Sequence, residues 1–556
     1  MSIFSYIGIA VTFIIALIIA RPTGHYIAHA FDNTPNRLDR WFHPIEKWIY
    51  RFGGIKGENQ TWKQYAGAVL ISNTVILLIA YAIFRLQHVL PLNPAGITNM
   101  SPDLAFNTAI SFMTNTNLQH YSGESGLSLF SQMTAIIFMM FVSPATGIAV
   151  AIAFIRGITG KPLGNFFTDL VRAITRILLP LTFIMALVFV GLGMPQTLHT
   201  VVTAQTLQGT EQQIGVGPIG SFLAIKELGN NGGGYFGANS AHPFENPGGF
   251  SNMLQMLMML LVPMSLPFTY GKMVGNSKQG RVLFVSMVMM FVVMLSVSLA
   301  SEYQGNPLIN QLGIQHNAGS MEGKEVRLGE AQSSFYSVVT TASETGAVNN
   351  MHDTLTPLGG LIALGNMMLN TVFGGSGVGL LNILMYAIIA VFLSGLMVGR
   401  TPEFLGRKIE GKEMKLIAVT LLIQPLLVLA PTAIALMTQA DTISNPGYHG
   451  LTQALYEFTS SAANNGSGFE GLGDNTPFWN IMTGVVMFIS RYFSMVTLLA
   501  VAGSLMAKKP VPETSGTLRT DQALFGGMFI ISVILVGALT FFPVVVLGPI
   551  AEMLTL

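Results

Sequence analysis

The sequence predicts an all-α integral membrane fold of ten transmembrane helices. Eight form four repeated helix–loop–helix units whose loops dip back into the membrane, and an extra helix stands at each end. Three observations predict it. Of the 556 residues, 51% are hydrophobic and only 10% are charged, where a soluble protein carries about 25% charged residues; a mean hydropathy of +0.56 agrees. Apolar runs long enough to cross a bilayer of roughly 30 Å recur along the chain, and the segments between them alternate in charge. Four short polar strings return at a nearly constant period. The same composition excludes other classes. A formal net charge of +1 gives a nucleic acid nothing to hold. The count of 0 Cys excludes disulfides, thiolate zinc sites and cysteine catalysis. Abundant Gly (59) and Met (32) suit close helix packing in lipid.

The first apolar run, 3–20, has no basic residue before it and several after it. That pattern predicts an uncleaved first helix with its N-terminus outside, not a removed signal. The runs 65–87, 128–155, 174–194, 252–273 and 281–301 follow. The seventh, about 357–398, is too long for one helix and is interrupted by Phe373-Gly374-Gly375-Ser376-Gly377-Val378-Gly379. A broken helix is predicted there, since glycine permits an unwound segment. Runs 415–438, 478–505 and 523–548 complete the set. Segments 21–63, 156–176, 271–281, 399–415 and 506–522 hold 22 of the 27 Lys/Arg. The alternate segments, 88–127, 195–251, 302–356 and 439–477, hold only Lys226, Lys324 and Arg327, while Arg85 and Arg491 fall within spans. By the positive-inside rule the first set is cytoplasmic, which puts both termini outside.

Each external segment carries a helix-like stretch running into a small polar string. The strings are Thr114-Asn115-Thr116-Asn117, Gly229-Asn230-Asn231-Gly232-Gly233-Gly234, Ser343-Glu344-Thr345-Gly346-Ala347 and Ala463-Asn464-Asn465-Gly466-Ser467. With Asn115, Asn230, Thr345 and Asn464 taken as equivalent, the steps are 115, 115 and 119, the mark of an internal repeat. The organisation read from this is an N-terminal helix 1–20 and repeat 1 at 65–155 with string 114–117. Repeat 2 spans 174–273 with string 229–234, and repeat 3 spans 281–398 with string 343–347. Repeat 4 at 415–505 carries string 463–467, and a C-terminal helix covers 523–548. Polar backbone at membrane depth survives only where protein buries it or where it lines a wet cavity. Four such strings can meet on one axis, where a ring of backbone carbonyls would replace a cation's hydration shell. One Asn/Gly-rich string would read as an ordinary surface loop; four at a fixed period on one side do not. The external segments hold 15 Asp/Glu against 3 Lys/Arg, a balance of −12 that would concentrate cations at the mouth.

Other constellations read as structural. His242 and Glu245, with His352 or His449, lack metal-ligand spacing, because Pro243 intervenes and the remaining histidines are scattered. Met253, Met256, Met258 and Met259 at helical spacing read as packing, not as a soft-metal lane. Arg491 within an apolar span is costly and by default functional, with a bridge inside the bundle as the structural alternative.

The strings and their surroundings resemble a known family. Thr114-Asn115-Thr116-Asn117-Leu118-Gln119, Gly229 to Gly234 with Asn239-Ser240-Ala241-His242-Pro243-Phe244-Glu245-Asn246-Pro247, Met321-Glu322-Gly323-Lys324-Glu325 and Gly399-Arg400-Thr401-Pro402-Glu403 resemble the potassium-binding A subunit of the bacterial Kdp potassium-transporting P-type ATPase. The likeness covers essentially the whole chain. It implies a member of the potassium-transporter superfamily, built like a tetrameric channel fused into one polypeptide with helix–pore-loop–helix units. It implies a multi-pass protein of the bacterial inner membrane that selects external K⁺ and passes it through an intramembrane tunnel to a P-type ATPase catalytic subunit. A small single-span chaperone-like subunit and a short membrane peptide would complete the complex. The implied filter residues are Thr114, Asn115, Thr116, Asn117, Gly229, Asn230, Asn231, Gly232, Gly233, Ser343, Glu344, Thr345, Gly346, Asn464, Asn465 and Gly466, with Gln119 at the mouth. Gly374, Gly375, Gly377, Gly379, Arg400 and Arg491 are the implied gate or tunnel residues; Arg400, at a cytoplasmic helix end, reads otherwise as an anchor. K⁺ is the transported ligand, and no organic cofactor is implied. The chain has no Asp-Lys-Thr-Gly-Thr phosphorylation motif and no Walker A loop. Gly157-Ile158-Thr159-Gly160-Lys161-Pro162 lacks both the spacing and the Ser/Thr, so ATP would be bound and hydrolysed only by a partner. A stand-alone potassium channel or symporter of the same superfamily is the first alternative. Those relatives tend to carry a glycine in every string, and the first string here has none. An intramembrane enzyme is the second, and no nucleophile, base and orienter stand at recognisable spacing for it.

Overall fold

A computed structural model describes residues 3–32, 39–313, 319–397, 399, 401–512 and 517–556. Among them, 10 helices are long and apolar enough to cross a membrane, each overlapping one of the apolar runs. The first, Ile3–Ala30, continues past Arg21 and Pro22 to Ala30; a charge ends a hydropathy run without ending a helix. The span at Leu129–Ile158 is 83% buried and lies at the centre, whereas Phe4–Ala30 and Trp62–Leu86 are only 22% buried and leave most of their surface to lipid. The seventh apolar run is two helices, Pro357–Leu369 and Val378–Met397. The break between them contains Asn370, Phe373, Gly374 and Gly377, all at positive φ.

Four half-helices lie in the external segments: half-helix 1 at Pro102–Met113, half-helix 2 at Ile219–Leu228, half-helix 3 at Gly329–Ala342 and half-helix 4 at Tyr448–Ala463. None reaches the roughly 20 residues a full crossing needs. Each packs on the span that precedes it: Trp62–Leu86, Leu179–Gly191, Ser277–Gln304 and Gly411–Thr438 respectively. Each has its polar string at its C-terminal end. Half-helix 1 starts where the Ser101 hydroxyl accepts from the Leu104 amide, with Pro102 in the first turn.

A helix after the first span, Asp39–Phe52, exposes Trp41, Ile45, Trp48 and Phe52 along one stripe, the pattern of a helix lying in the membrane interface. Glu46 on its other face takes both Arg176 Nε and Nη2, the latter at 2.7 Å, and so ties it to the fourth span. An external β-hairpin pairs Val201–Gln205 with Glu211–Gly215.

Candidate cation-binding ring

Each half-helix ends in the same way. The amides of Thr116, Asn231, Thr345 and Asn465 each donate to the carbonyl five residues back, of Ser111, Lys226, Thr340 and Ser460, and all four bonds measure 2.9 Å. This is the six-to-one closure of a Schellman turn, which requires the preceding residue in the left-handed region. Those residues are Asn115 (φ 62°), Asn230 (φ 51°), Glu344 (φ 48°) and Asn464 (φ 60°). Two positions later the backbone turns left-handed again, at Asn117 (φ 55°), Gly232 (φ 84°), Gly346 (φ 82°) and Gly466 (φ 98°). This double signature corrects the register read from the sequence. The equivalent of Asn115, Asn230 and Asn464 is Glu344, not Thr345, which stands with Thr116, Asn231 and Asn465. It also shows why string 1 has no glycine: Asn117 takes the left-handed place, and Asn is the side chain that tolerates it best.

The strings close into a ring in chain order. Asn115 Nδ2 donates to the Asn230 carbonyl at 2.8 Å, and Asn117 Nδ2 to the Gly232 carbonyl at 3.2 Å. Asn230 Nδ2 donates to Thr345 Oγ1 at 2.9 Å. Asn465 Nδ2 donates to the Thr340 carbonyl at 3.0 Å, joining string 4 to half-helix 3. Asn464 Nδ2 donates to Thr116 Oγ1 at 2.9 Å, returning to string 1. The glycines give the same order. A methyl group would strike the Thr345 carbonyl at Gly232, the Asn465 carbonyl at Gly346 and the Thr116 carbonyl at Gly466. The carbonyls of Thr116, Asn231, Thr345 and Asn465 accept no hydrogen bond among the described residues, and all four residues are buried. The half-helix C-termini bring their negative ends to the strings, which favours a cation there.

The predicted neighbours of the ring divide into three groups. Gln119 pairs with Gly234 in both directions, accepting its N–H at 2.7 Å and donating to its carbonyl at 3.1 Å, and so clamps string 2. The glycine segment lies under strings 2 and 3. Gly374 N donates to the Ala342 carbonyl at 2.9 Å, Ser376 Oγ donates to Asn230 Oδ1 at 2.6 Å, and Gly375 faces Glu344. Gly379 sits against Gly374, and Gly377 against Gly147 of the central span. Arg491, 5% exposed, brings its guanidinium to the same Gly147, and one of its nitrogens has no partner among the described residues. Arg400 lies outside the described residues. Glu344 has both carboxyl oxygens without a hydrogen-bond partner among the described residues, where the equivalent asparagines are fully engaged.

Much of the external acid count proves internal. Glu227, Glu245, Glu302, Glu330, Glu344, Asp353 and Glu457 are buried, as are Lys226 and Lys324, so the −12 shrinks to −7 at the surface, eight acids against Arg327. Lys226 meets Glu245 at 2.8 Å and Lys324 meets Glu302 at 2.9 Å, all four side chains fully buried. Glu245 also accepts from the Phe236 amide, and His242 stacks on Phe236, so the two residues weighed as metal ligands are held by the loop itself. Met256, Met258 and Met259 are core packing.

One further cluster, beside the ring, has no counterpart in any sequence motif. His120 Nε2 lies 3.1 Å from Glu457 Oε1 and 4.0 Å from Asp474 Oδ2, and Nδ1 lies 2.7 Å from Asn480 Oδ1. Burial alone would lower this imidazole, but the Asp474 charge and the Glu457 hydrogen bond raise it to about 9. Residues separated by 337 positions leave no spacing signal; only co-variation among homologues would have found them.

The family model described as Potassium-transporting ATPase A subunit matches residues 10–554. Among solved structures, the crystal structure of the potassium transporter TrkH from Vibrio parahaemolyticus is similar, with a TM-score of 0.53 and 16% identity over 90% of this chain and 98% of that one. At that identity the likeness concerns the fold.

Proposed function

Because the chain belongs to the family of potassium-transporting ATPase A subunits, we propose that it is the K⁺-selecting and translocating subunit of an ATP-driven uptake complex in the bacterial inner membrane. Both termini face outside. External K⁺ sheds its water at the ring and is held chiefly by the carbonyls of Thr116, Asn231, Thr345 and Asn465. The observation that carries this reading is the fourfold Schellman closure, which leaves those four buried carbonyls without donors on one closed ring. Carbonyl oxygens fixed in number and place favour K⁺ over smaller, more tightly hydrated ions. Gln119 keeps strings 1 and 2 in register at the mouth. Beneath the ring, Gly374 to Gly379 and Arg491 form a barrier that blocks straight passage down the axis and diverts the ion sideways into a tunnel. That tunnel leads to a P-type ATPase subunit, which binds and hydrolyses ATP. The small single-span subunit and the short membrane peptide complete the assembly, and the A subunit itself carries out no chemistry.

Reconstitution in liposomes tests this. Flux of K⁺ that needs both the ATPase partner and ATP is the expected result. ATP-independent K⁺ flux through the chain alone would instead identify a channel or symporter of the same fold.

A further inference from the structure

The cluster at His120 lies outside the ring, on the external side, and joins three elements. His120 follows Gln119 in the loop leaving string 1, Glu457 belongs to half-helix 4, and Asp474 lies in the loop after string 4. We propose that His120, Glu457 and Asp474 form a binding site for a borderline divalent transition ion of the Zn²⁺ class at the rim of the mouth.

Four features support it. The donor atoms Nε2, Oε1 and Oδ2 all lie within 4.8 Å of one another. With Nε2 3.1 Å from Oε1 and 4.0 Å from Oδ2, a point therefore exists within about 2.4 Å of each, a few tenths of an ångström beyond zinc–nitrogen and zinc–oxygen bonds of about 2.0–2.2 Å. Asp474 provides the adjustment, because it is in a loop with its side chain 30% exposed. The imidazole is aimed by its surroundings. Asn480 Nδ2 donates to Asp103 Oδ2 at 2.7 Å and to Asn475 Oδ1 at 3.1 Å, which turns its Oδ1 toward His120 Nδ1. Nδ1 must then carry the hydrogen, and Nε2 is the nitrogen that faces the two carboxylates. A backing acceptor of this kind is what metal-bound histidines have. Finally, Glu457 is 1% exposed, and its Oε2 has no hydrogen-bond partner among the described residues; a metal ion would take the place of the Nε2 proton as the positive partner of that buried, half-satisfied carboxylate. One nitrogen and two carboxylate oxygens, with water on the open Asp474 side, suit zinc and neighbouring ions better than Mg²⁺ or Ca²⁺, which prefer all-oxygen sets. Binding replaces the proton on Nε2 with the ion and releases that proton to water. Because the site ties string 1 to half-helix 4 across the seam between strings 4 and 1, an ion in it would stiffen the mouth without touching the ring.

The test uses the purified full-length chain, stripped with chelator and titrated with Zn²⁺ by calorimetry, with Co²⁺ as an optical probe. One Zn²⁺ per chain is expected, with a Co²⁺ visible spectrum of a four- or five-coordinate nitrogen–oxygen site. Asp474→Asn should weaken binding at least tenfold, and His120→Gln should abolish it together with the Co²⁺ bands. Asp474→Asn changes only a partly exposed loop side chain, so it remains informative if His120→Gln does not fold. In chelator, Asp474→Asn should transport K⁺ like the wild type in the assembled complex. Absence of stoichiometric Zn²⁺ binding would mean the cluster holds a proton only, and would overturn the proposal. Equal binding by wild type and Asp474→Asn would overturn it too, placing the ion elsewhere.

Discussion

Gly232→Ala is the substitution by which the ring can be judged most sharply. Gly232 sits at φ 84°, and a methyl group there would lie 2.8 and 2.9 Å from the carbonyl carbon and Cα of Gly346, besides striking the Thr345 carbonyl oxygen. The left-handed conformation alone costs an alanine about 1–2 kcal/mol. At about 1.4 kcal/mol per tenfold, that predicts K⁺ binding weakened about 5- to 30-fold if all of it falls on the bound state. The collision adds to this, since Thr345 belongs to the layer of unbonded carbonyls, and moving one of four disturbs discrimination as well as affinity. A control separates the two effects. Gly209 has φ 81° in the external hairpin, with nothing near its added Cβ, so Gly209→Ala bears the conformational penalty without touching K⁺. The assay is K⁺-dependent ATP hydrolysis and uptake by the assembled complex, repeated with Rb⁺ and Na⁺. Gly232→Ala should raise half-saturation for K⁺ and admit the other cations more readily, while Gly209→Ala leaves both unchanged. Gly466→Ala, which strikes the Thr116 carbonyl, should do the same across another seam and serves if Gly232→Ala does not assemble. The ring assignment is falsified if both variants assemble and keep wild-type affinity and cation ranking.

Four more outcomes are expected. Gln119→Arg removes the acceptor for Gly234 N–H and adds a fixed positive charge near the mouth; half-saturation for external K⁺ should rise at least tenfold, less at high ionic strength. Asn117→Ala loses the bond to the Gly232 carbonyl while still requiring positive φ, and at about 0.5–1.5 kcal/mol for the bond uptake should need several-fold more K⁺. At Gly377, φ 91°, a methyl would strike the Gly147 carbonyl, so Gly377→Ala should displace the segment under the ring and appear as ATP-independent K⁺ leak in liposomes. His449 is pushed down by burial but held up at about 9 by its bonds to Asp353 at 3.1 Å and Glu552 at 2.9 Å. A raised histidine stabilises fully below its free value near 6.5 and loses that contribution as pH climbs toward 9. The melting temperature of the complex should therefore fall between pH 6.5 and 9, and fall less in His449→Gln; identical slopes would dismiss the ion pair.

The spans were readable because a membrane helix must be apolar over its whole length, and the broken seventh helix because a cluster of glycines interrupts it. The strings were readable as a set, but not their register. Aligning Thr345 with three asparagines kept the period most even, yet what defines the position is backbone conformation, and Glu344 adopts the asparagine conformation without being one. Acids such as Glu245 and Glu302 were miscounted as surface charge because composition cannot tell a solvated carboxylate from one facing a buried lysine. The His120 cluster and the Glu46–Arg176 tie depend on contacts between distant parts of the chain, which periodicity does not encode.

Asn117 also bears on how such a ring can diversify. In a channel assembled from four identical chains, every substitution in the filter is made four times, so an asparagine forced into a left-handed place would incur its strain of about 1 kcal/mol in each quadrant. Here the four strings belong to one polypeptide. The strain is incurred once, and the same side chain offsets part of it with its bond to Gly232. Glu344 is tolerated in the same way, as a single acid among three amides. Carrying the four strings on one chain therefore frees the quadrants from symmetry: each can be altered separately, and the four walls of the ring need not be equal.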